Sequence, residues 1–172
     1  MDTLLKSELS GDLSRILRSI ASGGRAENHG FDQDTVKKEA NELYEAGQGK
    51  IGTEESAFIR ILCSRSFPQL NITFAVYKEL FGHSFDQAIN REMSGNVLLA
   101  CNTIYSCATN KPLYFAKLIN KSMSGLGTRD NDLIRLLVCR SYIDLSEICK
   151  TYRSVYKKKM SDDVLIIFLN FL

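Results

Sequence analysis

An internal repeat is the feature of this sequence that most restricts the folds open to it. Residues recur in register at a constant offset of about 75 positions along the chain of 172 residues. The first copies are Gly52, Thr53, Ile59, Arg60, Leu62, Arg65, Ser66, Leu70 and Tyr77, and the second copies are Gly127, Thr128, Ile134, Arg135, Leu137, Arg140, Ser141, Leu145 and Tyr152. A fixed period indicates a protein built from similar stacked units.

A second recurring element indicates where the repeats end. Glu8-Leu9-Ser10-Gly11 returns as Glu92-Met93-Ser94-Gly95 at an offset of about 84 positions. The extra residues that make this offset longer than the first lie in the polar linker from Gly23 to Gln33. The predicted domains are the end of one repeat plus a linker in residues 1–30, a complete repeat in 31–109, and an incomplete repeat with a divergent apolar C-terminus in 110–172.

Apolar residues inside the repeats follow helical spacing. Phe58, Ile61 and Leu62 stand at i, i+3 and i+4, and no stretch alternates convincingly with period two. We therefore predict an all-α fold of short helices joined by short loops.

Polar residues and prolines mark where several helices should begin. Asp32 or Asp34 can cap one helix, and Ser66 with a following proline can cap another. Ser84 to Gln87 has the pattern of a capping box, and Pro112 is expected to start a helix after the complete repeat.

The first glycine loop and a distant carboxylate together predict a calcium site. Calcium takes six to eight oxygen ligands, and backbone carbonyls suit it as well as carboxylates do. Glycines let successive carbonyls point at one spot, and the candidates are Gly47 (or Gln48), Lys50 and Gly52. Glu92 can close the site with two oxygens, which leaves about two positions for water or a phosphate. A single carboxylate predicts weak calcium binding.

A glycine loop of this kind also has a simpler interpretation. A single glycine loop of this kind is more typical of a helix–turn–helix connection with a glycine cap than of a metal site. Two copies in register, each leading into the same helix, favour a shared site. The lysine of a phosphate-binding P-loop and the alternating Asp of an EF-hand are both absent.

At this level of detail the sequence resembles the annexin family, over roughly residues 4 to 160. The match is to a C-terminal half: the end of repeat two, all of repeat three and a shortened repeat four. The resemblance rests on the Gly-Thr-x-[Asp/Glu] loops, Arg60-Ile61-Leu62, Arg65-Ser66, the Glu-x-Ser-Gly element, Lys111-Pro112 leading to Met123-Ser124-Gly125-Leu126-Gly127-Thr128, Leu133-Ile134-Arg135 and Ser141-Tyr142-Ile143-Asp144-Leu145.

The resemblance implies five short helices per repeat in a right-handed superhelix, with calcium loops on one convex face. It also implies binding to acidic phospholipid surfaces when calcium bridges the loops to lipid headgroups. Carried over by position, the main site consists of the carbonyls of Gly47, Lys50 and Gly52 and the side chain of Glu92.

Two apolar residues occupy the tips of the loops. Ile51 and Leu126 stand where a side chain could enter the lipid headgroup layer. Local packing beneath the loop explains them equally well.

Two further calcium sites are expected to be partial. Glu8 matches the acidic ligand, but its loop would lie before the first residue, so it forms a half site. In the last repeat Met123, Gly125 and Gly127 match the loop, yet Ile167 stands where the carboxylate is expected.

The end of the chain departs from the family pattern. From Ser161 onward the pattern is lost, and Asp162 and Asp163 fall short of the acidic position. We therefore do not expect the last two helices of this repeat, or its calcium site, to be complete. The apolar run that follows either replaces lost packing or leaves an exposed surface that promotes association.

Composition excludes several functional classes. A net charge of +2 gives no reason to expect nucleic-acid binding, and no paired nucleophile and base indicates an enzyme. Five cysteines without a Cys-x-x-Cys motif indicate buried reduced thiols rather than zinc ligands or disulfides. Without a signal peptide, and with a C-terminal apolar run too short to cross a bilayer, the chain is expected to be cytoplasmic.

The recurring arginines predict structural ion pairs. Arg60, Arg65, Arg135 and Arg140 stand at matching positions in the two repeats. Such fixed positions favour salt bridges within or between repeats over contacts with lipid.

These observations lead to one functional hypothesis and one alternative. The leading hypothesis is calcium-dependent binding to acidic phospholipid membranes, with Ca²⁺ as cofactor and peripheral membrane association when calcium rises. The alternative is a calcium-independent helical protein–protein interaction module, whose exposed repeat ends and apolar tail pair with a partner or with a second copy.

Overall fold

A computed structural model describes residues 2–27, 30, 32–48, 54–124 and 128–169, with side chains up to Ile167. Within these residues the regular structure is entirely helical, so the all-α prediction is confirmed. The helices are α1 Asp2–Glu8, α2 Gly11–Ala21, α3 Gln33–Ala46, α4 Glu55–Ser64, α5 Phe67–Phe81, α6 Phe85–Glu92, α7 Gly95–Met123, α8 Asp130–Arg140, α9 Leu145–Tyr156 and α10 Met160–Leu169.

Two predicted helix caps are present. Asp32 caps α3 because its carboxylate accepts a hydrogen bond of 2.9 Å from the backbone N–H of Thr35. Ser66 caps α5 through a 3.3 Å hydrogen bond from the backbone N–H of Gln69. Gly82 then ends α5 in the left-handed conformation, with φ of 72°, which a glycine adopts without strain.

The predicted capping box at Ser84 is wrong, although α6 does begin there. The Ser84 side chain makes no capping hydrogen bond. Instead, the backbone N–H of Gln87 donates to the carbonyl oxygen of Ser84 at 3.1 Å. A backbone turn therefore satisfies the amide that the hydroxyl was expected to satisfy.

The long helix α7 contains a break where Pro112 predicted a new helix. Asn110 has non-helical angles, φ −155° and ψ 82°. Its side-chain oxygen accepts a 3.0 Å hydrogen bond from the N–H of Leu113, as an N-cap would. Asn110 thus ends one helical segment and begins the next.

The chain divides into two compact units, Met1–Thr109 and Asn110–Leu172. In the first unit α3 packs against α4 and α5, and α2 packs against α4. An aromatic cluster fills the space beside α6, with the rings of Phe74 and Phe85 stacked at 4.7 Å and Tyr77 edge-on to Phe85 at 5.2 Å. This cluster fixes α6, and with it the position of Glu92.

A buried carboxylate ties α3 to α5. Glu39 is buried and accepts hydrogen bonds from Arg65, Gln69 and Thr73. Because every donor comes from α5 or the turn before it, this network holds the two helices in register. It also gives Arg65 the ion pair that its recurrence predicted.

The other recurring arginines also form salt bridges, each with a carboxylate at a different position. Arg60 pairs with Glu42 across helices, whereas Arg135 pairs with Asp132 at 3.0 Å within α8. Arg140 pairs with Asp144, one turn further along the chain.

The linker before α3 packs against the end of α4 and the start of α5. The guanidinium of Arg25 donates to the carbonyl oxygens of Leu62 and Arg65 and lies 4.4 Å from the ring centre of Phe67. The N–H of Ala26 donates to the carbonyl oxygen of Ser64 at 2.8 Å. The linker thus satisfies carbonyls left open at the end of α4.

The second unit differs from expectation at its end. The helix α10 forms at Met160–Leu169, although the sequence pattern gave reason to expect the last helices to be incomplete. Met160 is buried in the same cluster as Ile148 and Tyr152. Burial of Met160 anchors the first turn of α10.

All five cysteines are free thiols. Cys63 and Cys101 are buried as expected, but Cys139 is exposed. No helix in the described ranges is long and apolar enough to cross a membrane.

Candidate functional site

The two ends of the glycine loop of the first unit are joined by a backbone hydrogen bond. Gly47 ends α3, and its N–H donates to the carbonyl oxygen of Tyr44 at 3.2 Å. On the far side, the N–H of Glu54 donates to the carbonyl oxygen of Ala46 at 2.7 Å. The two ends of the loop are therefore held together by the backbone itself.

Glu92 lies directly against the start of this loop. A methyl group placed on Gly47 would stand 3.1 Å from Cγ and 3.4 Å from the carboxylate carbon of Glu92. It would also stand 3.2 Å from the ring of Phe58. The last residue of α6 and the first residue of the loop are thus brought together although they are far apart in sequence, and only a glycine leaves room for both neighbours.

The Glu92 carboxylate stands at the margin of the aromatic core. Burial, the neighbouring Tyr44 and the negative charge of Glu92 raise the pKa of Tyr77 to about 12. The Tyr77 hydroxyl contacts His83 Nε2 at 3.4 Å, and His83 Nδ1 lies 2.8 Å from the carbonyl oxygen of Phe81. Glu92 itself is half-buried, so its carboxylate is partly shielded from water.

Sequence reasoning missed a buried amide beside Gly47. Among the described side chains, the Nε2 atom of Gln48 is buried without a hydrogen-bond partner. Buried polar atoms are nearly always paired in a finished structure. The Nε2 group is a hydrogen-bond donor, so it can gain an acceptor such as a water or a phosphate oxygen but cannot ligate calcium. An unpaired atom of this kind leaves no signal in the sequence.

The residues present fit a calcium ion better than a transition metal. In the part of the chain that is described, no three His, Cys, Asp or Glu side chains come together as a metal cluster. The loop whose ends are fixed lies beside the carboxylate of Glu92, so the side-chain donor that the structure brings to it is oxygen. Calcium prefers such donors, whereas zinc and copper prefer nitrogen and sulfur.

Several predicted site residues lie outside the described ranges. These are Lys50, Ile51, Gly52, Gly125, Leu126 and Gly127. For the main site, the structure therefore brings Gly47 and Glu92 together, and all four ligand assignments remain predictions.

The second loop is closed in the same manner, but its acidic partner is missing. The N–H of Arg129 donates to the carbonyl oxygen of Ser122 at 2.9 Å, next to Met123 at the end of α7. Ile167 occupies the position on α10 that Glu92 occupies on α6, and it is half-buried.

The nearby Asp163 is engaged elsewhere. Its carboxylate accepts a 2.5 Å hydrogen bond from the Tyr152 hydroxyl and pairs with Lys158 at 2.9 Å. Asp163, which is four residues before Ile167 in the sequence, is therefore already paired with other residues of the second unit.

Comparisons with known proteins identify the family of the chain. A family model described as Annexin matches residues 38–101 and 114–165, more than half of the chain. Annexin A11 of Mus musculus is 38% identical over 164 residues, covering 95% of this chain and 33% of its own length. Annexin A13 of Homo sapiens is 38% identical over 164 residues, covering 95% of this chain and 52% of its own length. The chain belongs to the annexin family.

Solved annexin structures share the fold at high similarity. Annexin III superposes with a TM-score of 0.92 at 34% identity, covering 95% of this chain and 51% of its own. Calcium-bound annexin (Sm)1 has a TM-score of 0.84 at 28% identity, covering 95% of this chain and 48% of its own. Chicken annexin V has a TM-score of 0.81 at 33% identity, covering 95% of this chain and 52% of its own.

This annexin chain spans about a third to about half of the length of the relatives named above. Annexins are generally non-enzymatic membrane-binding proteins, and calcium and phospholipid binding are characteristic of the family. In this annexin the acidic residue of the Glu-x-Ser-Gly element, Glu92, ends α6, and the matching Glu8 ends α1 in an exposed position.

Proposed function

We propose that this chain binds acidic phospholipid membranes in a calcium-dependent manner, through the loop after Gly47 together with Glu92. The observation that supports the proposal is the contact between Gly47 and Glu92, which places a carboxylate beside the loop. The family supports the same activity, because calcium and phospholipid binding characterise annexins.

Four residues of the chain form the proposed main site. Gly47, Lys50 and Gly52 contribute backbone carbonyl oxygens, and Glu92 contributes its carboxylate. The backbone closure between Ala46 and Glu54 limits how far the two ends of the loop can separate. When bound, calcium would supply positive charge at this point and accept a lipid phosphate as an additional ligand.

The remaining positions are proposed as auxiliary. Met123, Gly125 and Gly127 form a partial site without a carboxylate, and Glu8 forms a half site. The loop-tip side chains are proposed to contact lipid, and they are Ile51 and Leu126.

We also propose the repeat boundaries that the sequence predicts. Residues 31–109 form the complete repeat, flanked by the end of a preceding repeat in 1–30 and an incomplete repeat in 110–172. In this arrangement the protein acts in the cytoplasm and joins membranes peripherally when calcium rises.

Vesicle co-sedimentation tests the proposal. The chain is mixed with vesicles of phosphatidylserine and phosphatidylcholine, or of phosphatidylcholine alone, with either calcium or a chelator. Pelleting only with calcium and phosphatidylserine is expected. Equal pelleting in chelator, or on neutral vesicles, contradicts calcium bridging to an acidic headgroup.

A further inference from the structure

The side chain of Gln48 carries a hydrogen-bond donor that the described part of the fold does not pair. Gln48 follows Gly47 directly, and as a whole residue it is half-buried. Its Nε2 atom is nevertheless buried and has no hydrogen-bond partner. A buried donor without an acceptor costs the free energy of its lost hydration, and folded proteins seldom leave one in that state. The side chain therefore calls for an explanation other than local structure.

A second buried glutamine shows that this fold can pair such an amide. Gln69, on α5, is buried, and its Nε2 atom donates to both carboxylate oxygens of Glu39, at 3.1 and 2.9 Å. That amide belongs to the network that joins α3 to α5. An amide with a structural role in this unit thus receives its acceptor from a neighbouring helix, whereas the amide of Gln48 does not.

The unpaired donor stands at the start of the loop that lies beside Glu92. The hydrogen bond from the N–H of Glu54 to the carbonyl oxygen of Ala46 closes this loop just before Gly47. Gly47 is the residue that contacts Glu92, and a methyl group placed on it would stand 3.4 Å from the carboxylate carbon. Gln48 is therefore the next residue inside the closed loop, where the proposed calcium ion and its lipid phosphate would be held.

The second glycine loop handles its first polar side chain differently. Ser124 follows Met123 there, and the Ser124 hydroxyl donates to the carbonyl oxygen of Asn120 at 2.7 Å. This side chain is thus satisfied by the helix that leads into the loop. Among the described residues, the unpaired donor and the adjacent carboxylate therefore occur at the same loop, as expected if both serve one bound group.

The chemistry of the amide determines which atom can pair with it. Nε2 carries two N–H donors and no acceptor site, so it binds an oxygen acceptor and not calcium itself. A phosphate oxygen is a strong acceptor, because hydrogen bonds to an ionised group are about twice as strong as those between neutral groups. A calcium ion held by carbonyls and one carboxylate has open positions for such an oxygen. The ion and the amide can therefore hold different oxygens of one phosphate.

We propose that the Gln48 carboxamide is a phosphate-binding group, which donates from Nε2 to an oxygen of the lipid phosphate bound to calcium. The inference rests on the proposed calcium-dependent membrane binding and adds a residue that recognises the phosphate rather than the ion. Because Gln48 is partly exposed and its side chain has several rotatable bonds, the amide can turn toward a phosphate at the loop. The same donor lowers the stability of the chain alone and strengthens its membrane-bound state.

A lipid titration at saturating calcium tests the proposal. Gln48→Met removes both N–H groups and keeps the length of the side chain. With vesicles of phosphatidylserine and phosphatidylcholine, the lipid concentration for half-maximal co-sedimentation is expected to rise by at least about fivefold. A further increase in calcium should not restore binding, since the lost contact is to the phosphate.

Gln33→Met is the matched control for this titration. Gln33 is exposed and is the first residue of α3, about 20 Å along the helix from Gly47. The substitution makes the same chemical change far from the loop, so this variant should bind vesicles like the unmodified chain.

Urea unfolding in chelator, without vesicles, gives a readout that separates binding from structure. Replacing an unpaired buried donor by an apolar group of similar shape is neutral or stabilising. Gln48→Met is therefore expected to be at least as stable as the unmodified chain, even though it binds lipid less well. An amide paired by an ordered water would give the opposite result, a loss of stability in Gln48→Met.

Competition with glycerol 3-phosphate distinguishes lipid phosphate from free phosphate as the partner. In excess over the vesicle phosphate, it should leave the unmodified chain on the vesicles, because lipid phosphates are presented together at one surface. Displacement of the unmodified chain that is absent in Gln48→Met would assign the amide to free phosphate and overturn the lipid as its partner.

The remaining outcomes separate this inference from the proposed function. An unshifted lipid titration for Gln48→Met, with calcium-dependent binding intact, overturns the role of Gln48 alone. A defect that disappears at high calcium, or an equal defect in Gln33→Met, also contradicts a phosphate contact. Loss of stability in Gln48→Met shows that the amide is paired in the chain alone and overturns the inference. A chain that does not bind vesicles with calcium overturns both the inference and the proposed function.

Discussion

At the scale of single residues, the contact between Gly47 and Glu92 carries most of the functional argument. The sequence predicted the pair because each half belongs to a repeated element. It could not predict that Phe58 also presses on Gly47, since that contact depends on how α4 packs. The orphaned amide of Gln48 was equally invisible, because burial of one atom is a property of the folded loop.

The crowding at Gly47 makes a direct prediction. In Gly47→Ala the new methyl group would stand 3.1 Å from Glu92 Cγ and 3.2 Å from Phe58, so one of them must move. We expect the calcium concentration for half-maximal vesicle binding to rise about tenfold, as when a ligand is misplaced by its neighbours. Gly30→Ala is the control, because nothing lies within 4 Å of that position. Equal behaviour of the two variants would contradict the packing described.

The buried hydroxyl of Tyr77 predicts a loss of stability in alkali. Burial is the main cause that raises the pKa of Tyr77 to about 12, whereas an unfolded tyrosine ionises near pH 10. The contribution of the protonated Tyr77 hydroxyl to the free energy of unfolding is complete below about pH 10. It is lost as the pH rises toward 12, because between these values only the unfolded chain releases the proton. Denaturant unfolding between pH 9 and 11 should show this decline, and Tyr77→Phe should make it shallower. An identical slope in both proteins would show that Tyr77 does not contribute.

At the scale of helices and turns, the sequence predicted where helices begin better than how they are capped. The starts of α3 and α5 follow from Asp32 and Ser66, whose side chains accept the expected hydrogen bonds. Ser84 has equally favourable neighbours in sequence, yet its backbone carbonyl takes the bond instead. The choice between hydroxyl and carbonyl depends on the local turn, which a residue pattern does not determine.

The two serines form a matched pair for mutation. Ser66→Ala should lower the free energy of unfolding by about 1 kcal/mol, since a real cap is lost. Ser84→Ala should change it by less than about 0.5 kcal/mol, since no side-chain cap exists. Urea unfolding measures both, and a larger loss at Ser84 would contradict the cap assignment.

Buried and exposed ion pairs should differ sharply in strength. Glu39→Ala leaves Arg65, Gln69 and Thr73 without their shared acceptor, so we expect a loss of about 3–5 kcal/mol. Glu42→Ala removes only the exposed pair with Arg60 and should cost at most about 1 kcal/mol. Urea unfolding of the two variants compares them, and similar losses would mean that burial of Glu39 is not what gives the network its strength.

At the scale of the whole molecule, the repeat predicted the helical architecture and its family. It also predicted that the two glycine loops are not equivalent, because the counterpart of Glu92 is Ile167. It did not predict α10, whose first turn is anchored by burial of Met160. Nor did it predict that Ile134 and Val138 of α8 are exposed, because exposure depends on which helices come together in space.

The one complete site that we propose implies modest membrane affinity for this chain. Several sites on one face raise the apparent affinity through effective concentration, without any stronger individual contact. We therefore expect the chain to need more calcium for vesicle binding than a four-repeat annexin does under the same conditions. Parallel co-sedimentation of the two proteins measures the difference, and equal calcium requirements would contradict a one-site mechanism.

The central claim is that Glu92 completes the working site, and one calcium titration of vesicle binding tests it most directly. Glu92→Gln keeps the shape of the side chain and removes its charge, so half-maximal binding should require at least about tenfold more calcium. Glu8→Gln makes the same change in the matching Glu-x-Ser-Gly element, at an exposed residue. Glu8→Gln is expected to bind like the unmodified chain, and an unshifted curve for Glu92→Gln would contradict the proposed role of Glu92.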